Sequence, residues 1–398
     1  MRIGIDATCW ANERGYGRFT RELVGALPAL APSHEFVCFL DRRAAERFAL
    51  TAPNVRPVVV HQHVAPTLAA SSGSSRSPVD LLRLTAAVRR ARLDAFFSPS
   101  VYGFFPLPPG LPAVVAVHDA IAERFPALTL PTRRDRLFWR MKVRLALQQA
   151  ALVLTVSDYA RDEIATHLRI RPADIRVTLE GVSSEYRPSE DPVANRAAAD
   201  RVGVPAGARW LMYVGGFNPH KRVDLLVRAH AAVATRQQSP PLALVLAGTQ
   251  EEGFHQDLTR IRAAIAECGT GELVHWPGFL SDPDLRHLHS GALALVLPSE
   301  SEGFGLPAVE AASCGTPVIA TTESPLPQLL DGGGLFVPPG DLAALERAIE
   351  MMVTREDDRA AMGRRALERA RLLSWSKSAR VVLDALEEVA AARRHRAV

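Results

Sequence analysis

Cysteine is scarce in this chain: four in 398 residues, Cys9, Cys38, Cys268 and Cys314, with no CxxC pair among them. Such spacing supports neither a zinc site nor a disulfide framework, and each thiol lies among apolar or small residues, so a reducing cytosol is the expected compartment. No apolar run is long enough to cross a bilayer, and the chain opens directly on a strand pattern rather than on a charged segment followed by an apolar one. A soluble protein, at most peripheral to a membrane, is therefore expected. An excess of one charge is also lacking: 47 Lys and Arg face 43 Asp and Glu, a net +4 with a pI of about 9.1. That excess, without a basic motif interleaved with aromatics, gives no reason to expect a nucleic-acid partner.

Hydrophobic content is ample, 47% over a length that suits two domains. Short apolar runs alternate with helical patterns almost throughout. Strands are expected at Arg2–Ala7, Phe36–Leu40, Val55–Val60, Ala95–Phe97, Ala113–Val117, Leu152–Val156, Arg176–Thr178, Trp210–Val214, Leu242–Ala247, Leu273–Trp276, Leu293–Leu297, Val318–Ala320 and Gly334–Val337. Helices are expected between them, among others at Gly17–Ala31, Pro78–Ala91, Arg133–Ala151, Asp224–Gln237, Gln256–Cys268 and Pro307–Cys314, with Ser77 and Ser157 as caps. This rhythm marks α/β domains with doubly wound parallel sheets. It breaks once, over a polar, proline-bearing stretch. The expected divisions are a domain over 1–185, a linker over 186–209, a second domain over 210–373 and a helical tail over 374–398 that packs back on the first domain. The Ser-rich stretch Pro66–Ser77 is expected as an exposed loop.

Four segments carry candidate chemistry. Glu302-Gly-Phe-Gly-Leu-Pro-Ala-Val-Glu310 follows an apolar strand, with Gly303 and Gly305 to admit a ligand and Pro307 to open a helix whose first turn holds Glu310. Carboxylates accept from sugar and ribose hydroxyls, and a helix start favours phosphate; the same junction is also ordinary α/β architecture. Val214-Gly215-Gly216 leads through His220 and Lys221 to Arg222, where Lys221 would neutralise a diphosphate or simply be a solvated lysine. Gly15-Tyr16-Gly17-Arg18 follows the first strand, an incomplete dinucleotide fingerprint without its third glycine; Asp41 is too late to be its acid. His118-Asp119 ends the Ala113–Val117 strand, where His118 would meet a sugar hydroxyl or leaving group, or make a structural hydrogen bond while Asp119 caps a turn.

These segments resemble the retaining nucleotide-sugar glycosyltransferases of glycosyltransferase family 4, with the GT-B fold. The resemblance covers nearly the whole chain. The Glu-x7-Glu pair is its specific element, supported by Gly315-Thr316-Pro317-Val318, by Glu180-Gly181-Val182 with Tyr186 and Pro188, and by Trp276–Leu280 with Leu285. It implies two Rossmann-like domains facing each other across a cleft, the first binding the acceptor and the second the donor. It also implies site residues. Glu302, with backbone N–H groups of Gly303, Phe304 and Gly305, would hold the transferred sugar, Leu306 a phosphate and Glu310 the ribose. Lys221 would meet the diphosphate, His118 the sugar near its anomeric carbon, and Gly278, Phe279 and Leu280 the base; Gly17 and Gly215 would line the donor. Where many relatives carry an arginine this chain has Gly216, for which Arg222 or Arg18 would substitute, and Gln328 stands where a glutamate is frequent.

The implied activity is a retaining hexosyl transfer from a nucleoside-diphosphate sugar, GDP-mannose ahead of UDP-glucose or another UDP-sugar. No metal-ligand spacing is evident, and no cofactor beyond the co-substrate is expected. A glycan or lipid-linked acceptor of bacterial surface polysaccharide or glycolipid synthesis fits. The basic run Arg133, Arg134, Arg136, Arg140, Lys142 and Arg144, with Leu137, Phe138, Trp139 and Met141, suits peripheral contact with an anionic membrane at its cytoplasmic face, or a solvated helix face. A sugar-nucleotide epimerase, or a non-catalytic sugar-nucleotide binder, remains the alternative.

Overall fold

The computed structural model describes residues 1–13, 15–63, 77–236, 239–249 and 257–396. The expected loop at Pro66–Ser77 falls outside these up to residue 76, and the expected helix starting at Gln256 is described from Leu258. The chain divides into two compact units. The first is Met1–Gly181 with Ser374–Val398, the second Val182–Leu373.

The first unit holds β1 (Arg2–Asp6), β2 (Glu35–Leu40), β3 (Val55–Val59), β4 (Ala95–Ser98), β5 (Ala113–Ala116), β6 (Ala150–Thr155) and β7 (Ile175–Val177), in the spatial order β3-β2-β1-β4-β5-β6-β7. Every described pairing is parallel, with Ile3 opposite Phe36 on one side and Ala95 on the other. The central strands are buried on both faces, and so read as unbroken apolar runs: Ile3, Ile5, Phe96, Phe97, Val114 and Val115 are all at or below 1% exposure. The second unit repeats the plan with β8 (Arg209–Val214), β9 (Leu242–Ala247), β10 (Val274–Gly278), β11 (Leu295–Leu297), β12 (Val318–Thr321) and β13 (Gly334–Val337), in the order β10-β9-β8-β11-β12-β13.

In each sheet the winding reverses once, between β1 and β4 and again between β8 and β11. At such a reversal, neighbouring connections leave on opposite faces and open a crevice at the carboxyl ends of the strands. The fold therefore nominates two places for ligands: the loops after β1 and β4, and those after β8 and β11.

Several expectations change in detail. The stretch 186–209 contains the helix Pro192–Arg201, whose N-cap Asp191 accepts from the N–H groups of Val193 and Ala194; the helix lies in the second unit, where Arg201 pairs with Asp284. Asn195, Ala198 and Ala199, rather than large apolar residues, face its core side, so hydrophobic periodicity gave no sign of it. The same holds for Glu356–Ala370, which buries only Gly363, Ala366 and Ala370. Ser157 caps its helix by accepting from the Ala160 N–H, whereas Ser77 occupies a cap position without making that bond. Asp41 caps Arg42–Glu46 by accepting from Ala44 N at 2.7 Å. Cys268 is half-buried, unlike the other three thiols.

Candidate active site

At the second unit's reversal, two strand-to-helix loops meet. After β8 the chain runs through Gly215–Asn218 into the short 3-10 turn Pro219–Lys221 and then the helix Val223–Arg236. After β11 it runs through Pro298–Gly305 into the helix Leu306–Ser313. Backbone bonds tie these loops and that after β12 together: Glu300 N donates to His220 O at 2.8 Å, and Glu302 N to Glu323 O at 3.0 Å. The side chains follow. Lys221 Nζ donates to both carboxylate oxygens of Glu302, at 2.8 and 2.9 Å, and Ser299 Oγ donates to Glu302 Oε1 at 2.6 Å. Glu302 is 7% exposed and Ser299 fully buried, so the pair is held rather than loosely formed.

The neighbourhood of that pair is polarised. Tyr213, whose hydroxyl donates to the Gly216 carbonyl, is raised well above 10.0, by burial first and the Glu302 charge second. Burial, then the Lys221 charge, pushes His220 down to about 3, which keeps it neutral and outside acid–base chemistry at ordinary pH. Arg222 sits in left-handed backbone at φ 49°; its guanidinium donates to Glu300 and lies 3.6 Å from Asp224. Two acids thus flank that guanidinium, and its Nε makes no hydrogen bond.

Gly305 is the N-cap of Leu306–Ser313, with φ 88° and ψ 47°. A side chain there would be strained, and a Cβ would lie 2.8 Å from Leu326 Cδ1. Having no side chain, Gly305 leaves the first helical N–H groups uncapped from that position. Pro307 is the second helical residue, as its lack of an N–H suits. Glu310 is the fifth residue of the helix rather than a member of its first turn, because the helix begins only at Leu306; it is 4% exposed, and its charge helps raise Cys314 to about 12, behind burial. Gly215 ends the β8 side of the crevice, its N–H bonded to Ala247 O. Gly278 closes β10 and accepts from Gly248 N at 2.9 Å, and the next residue, Phe279, is 57% exposed. Gly303, Phe304, Gly305, Leu306, Lys221 and Glu302 are thus brought to one crevice, while Gly278, Phe279 and Leu280 follow an outer strand of the same sheet.

His118 and Gly17 belong to the first unit. His118 follows β5; its Nε2 lies 2.8 Å from Pro99 O, its Nδ1 3.7 Å from Glu180 Oε1, and Phe19 meets its ring edge-to-face at 4.6 Å. Burial works to lower its pKa, but Glu180 and the Pro99 carbonyl outweigh that and raise it above 6.5. Asp119 accepts from Ile121 N at 3.0 Å, the turn-capping role. Gly17 does not form a turn: the helix already starts at Gly15, and a Cβ on Gly17 would lie 2.0 Å from the Asn12 carbonyl oxygen. The glycine is required there by close packing of the β1 loop on its own helix. At the β1–β4 reversal Asp6, 3% exposed, accepts from Thr8 N and Thr8 Oγ1, and beyond it Tyr16, Tyr102 and Trp139 succeed one another at 5.2 Å centroid spacings.

The sequence reading missed Ser299, Glu300 and Glu180 as partners. Ser299 stands three residues before Glu302, the spacing of a local side-chain bond, and was a usable signal; Glu180 lies far from His118 in the chain and gave none. Among the described residues no group of three His, Cys, Asp or Glu side chains is arranged to hold a metal ion, and no helix is long and apolar enough to cross a membrane.

The chain is 30% identical over 294 residues, 72% of its length and 66% of the other's, to D-inositol 3-phosphate glycosyltransferase of Saccharomonospora viridis. It is 32% identical over 257 residues, 63% of its length and 65% of the other's, to O-antigen chain mannosyltransferase B of Escherichia coli. It thus spans just under two thirds of the length of these curated relatives. Among solved structures, sucrose-phosphate synthase from Thermosynechococcus elongatus superposes with a TM-score of 0.76 at 21% identity, covering 98% of this chain and 99% of that one, a likeness of fold. The two parallel-sheet units and this neighbour define the architecture as GT-B. Residues 14–186 match Glycosyltransferase Family 4 and residues 196–369 match Glycosyl transferases group 1, so the chain is built from one domain of each of these glycosyltransferase families.

Proposed function

We propose that this chain is a retaining hexosyltransferase that moves a sugar from a nucleoside diphosphate to an acceptor hydroxyl. One observation carries the reading: at the reversal of the second sheet, Lys221, Glu302 and the start of the helix Leu306–Ser313 come from the two loops that flank the crevice. A carboxylate accepts only, so Glu302 takes donor hydroxyls with the lone pairs that Lys221 and Ser299 leave open. An ammonium has three protons, so a lysine bonded to both oxygens of one carboxylate keeps at least one N–H for a second anion. Lys221 and the N–H groups near Gly303–Leu306 then oppose the charge that builds on the departing diphosphate, the dominant demand of this reaction.

The step breaks the bond from the anomeric carbon to the phosphate oxygen and forms one from that carbon to the acceptor oxygen on the same face; the acceptor proton passes to the leaving phosphate. No metal ion is invoked. Glu310 is assigned to the ribose and the Gly278–Leu280 turn to the base. The acceptor, a free or lipid-linked glycan, is assigned to the first unit, with His118 at its carboxyl edge.

GDP-mannose is the preferred donor. It accords with the Gly215-Gly216 turn followed by His220-Lys221 and with the name of the E. coli relative; UDP-sugars are the second choice. A panel of GDP- and UDP-sugars tests the reading by thermal stabilisation and by release of GDP or UDP. GDP-mannose is expected to raise the melting temperature and, with an acceptor glycan, to yield GDP. Silence from every nucleotide sugar in both assays would overturn the reading, and UDP release would reassign the donor.

A further inference from the structure

The helix Arg133–Gln149 in the first unit has two unlike sides. Its start is fixed by a capping box between Thr132 and Asp135, and Val143 and Ala146 are buried. Trp139 donates to Glu123 at 2.6 Å, and Arg136 donates to Leu130 O at 2.9 Å. The opposite side is open and apolar: Leu137 is 67% exposed, Phe138 46%, Met141 49% and Leu145 42%. Leu137, Met141 and Leu145 recur every four residues and so form one stripe, with Phe138 beside it. Arg133, Arg140 and Arg144, all exposed, follow one flank of that stripe, and Arg134 lies over the Phe138 ring at 5.4 Å. Asp135 is the one acid in these seventeen residues, and it is engaged in the cap.

An apolar stripe of this size on a rigid helix is a docking surface, and its rim selects the occupant. A second copy of the chain, meeting through a two-fold axis, would set the same arginines against themselves. An anionic lipid surface takes both parts at once: guanidinium groups at the phosphate level, Leu, Phe and Met side chains at the acyl boundary, the helix lying flat. We infer that Arg133–Gln149 is an interfacial helix by which the first unit seats itself on an anionic bilayer. The inference stands on exposure and charge, independently of the transfer reaction.

The test is co-sedimentation of the full chain with vesicles of phosphatidylcholine, with and without phosphatidylglycerol. Binding is expected to the anionic vesicles, to weaken as salt is raised, and to fall about tenfold or more in the pair Phe138→Asp with Met141→Asp. The pair Arg140→Glu with Arg144→Glu should lose the preference for anionic over neutral vesicles. All four positions are exposed, so unchanged melting temperatures are expected and separate surface loss from misfolding. Failure to bind anionic vesicles at low salt, equal binding by wild type and both variants, or a concentration-dependent dimer dissolved by the Phe138/Met141 pair would each overturn the inference. None of these readouts depends on glycosyl transfer.

Discussion

The two units share one winding and use its reversal differently. In the first, the loops after β1 and β4 close on each other: Asp6 accepts from the neighbouring Thr8, and a Cβ on Gly103 would lie 2.4 Å from Asp6 Oδ2. In the second, the loops after β8 and β11 face each other with full charges, Lys221 against Glu302 and Arg222 against Glu300. The topology decides where a crevice lies, and the loop residues decide what it handles. A crevice lined by an ammonium, a carboxylate and a helix start suits a phosphorylated sugar.

The largest expected break in this contrast is Lys221→Ala. Losing the group set against the leaving diphosphate should lower turnover by about a hundredfold or more; near-normal GDP or UDP release would remove charge from the account of the second unit. Next is Gly17→Ala, which forces a methyl onto the Asn12 carbonyl. It should cost about 1–3 kcal/mol, felt as earlier melting of the first unit while hydrogen exchange in β8, β11 and β12 stays as in wild type. Ser299→Ala withdraws a buried hydrogen bond from Glu302 and should cost about 1.5–3 kcal/mol at most, now in the second unit, with a weaker grip on nucleotide sugar read by titration calorimetry. An unchanged affinity would show that Lys221 alone orients the carboxylate.

The smallest effect is a pH dependence. His118 is raised in the folded protein, so its contribution is fully present below the ordinary 6.5 and is lost as pH rises above it through the folded value. Glu180→Gln should therefore flatten the loss of first-unit stability on going from mildly acidic to mildly alkaline solution. A melting temperature that varies with pH as in wild type would place the cause elsewhere.

The sheets were legible because strands buried on both faces cannot alternate: Leu242–Ala247 or Val318–Ala320 can be little else. The crevice at Glu302 was legible because glycine and proline punctuate its loop where the backbone demands them. Three things stayed hidden. Helices that bury only small or polar residues, such as Pro192–Arg201 and Glu356–Ala370, carry no large apolar stripe. Long-range pairings such as His118 with Glu180 have no spacing to betray them. And the close approach of Gly17 to the Asn12 carbonyl is one that only the folded loop creates.

The first unit is discontinuous, whereas the second is one uninterrupted stretch. Trp375–Arg396 returns to it: Ser378 Oγ donates to Leu179 O, Arg176 pairs with Glu388 and His34 with Glu387. A Cβ on Gly181 would lie 2.2 Å from Trp375 N, so the outgoing and returning strands of chain touch at the point of departure. On a ribosome, where residues emerge in order, all of Val182–Leu373 is therefore available to fold while the domain begun first still waits for its last helix.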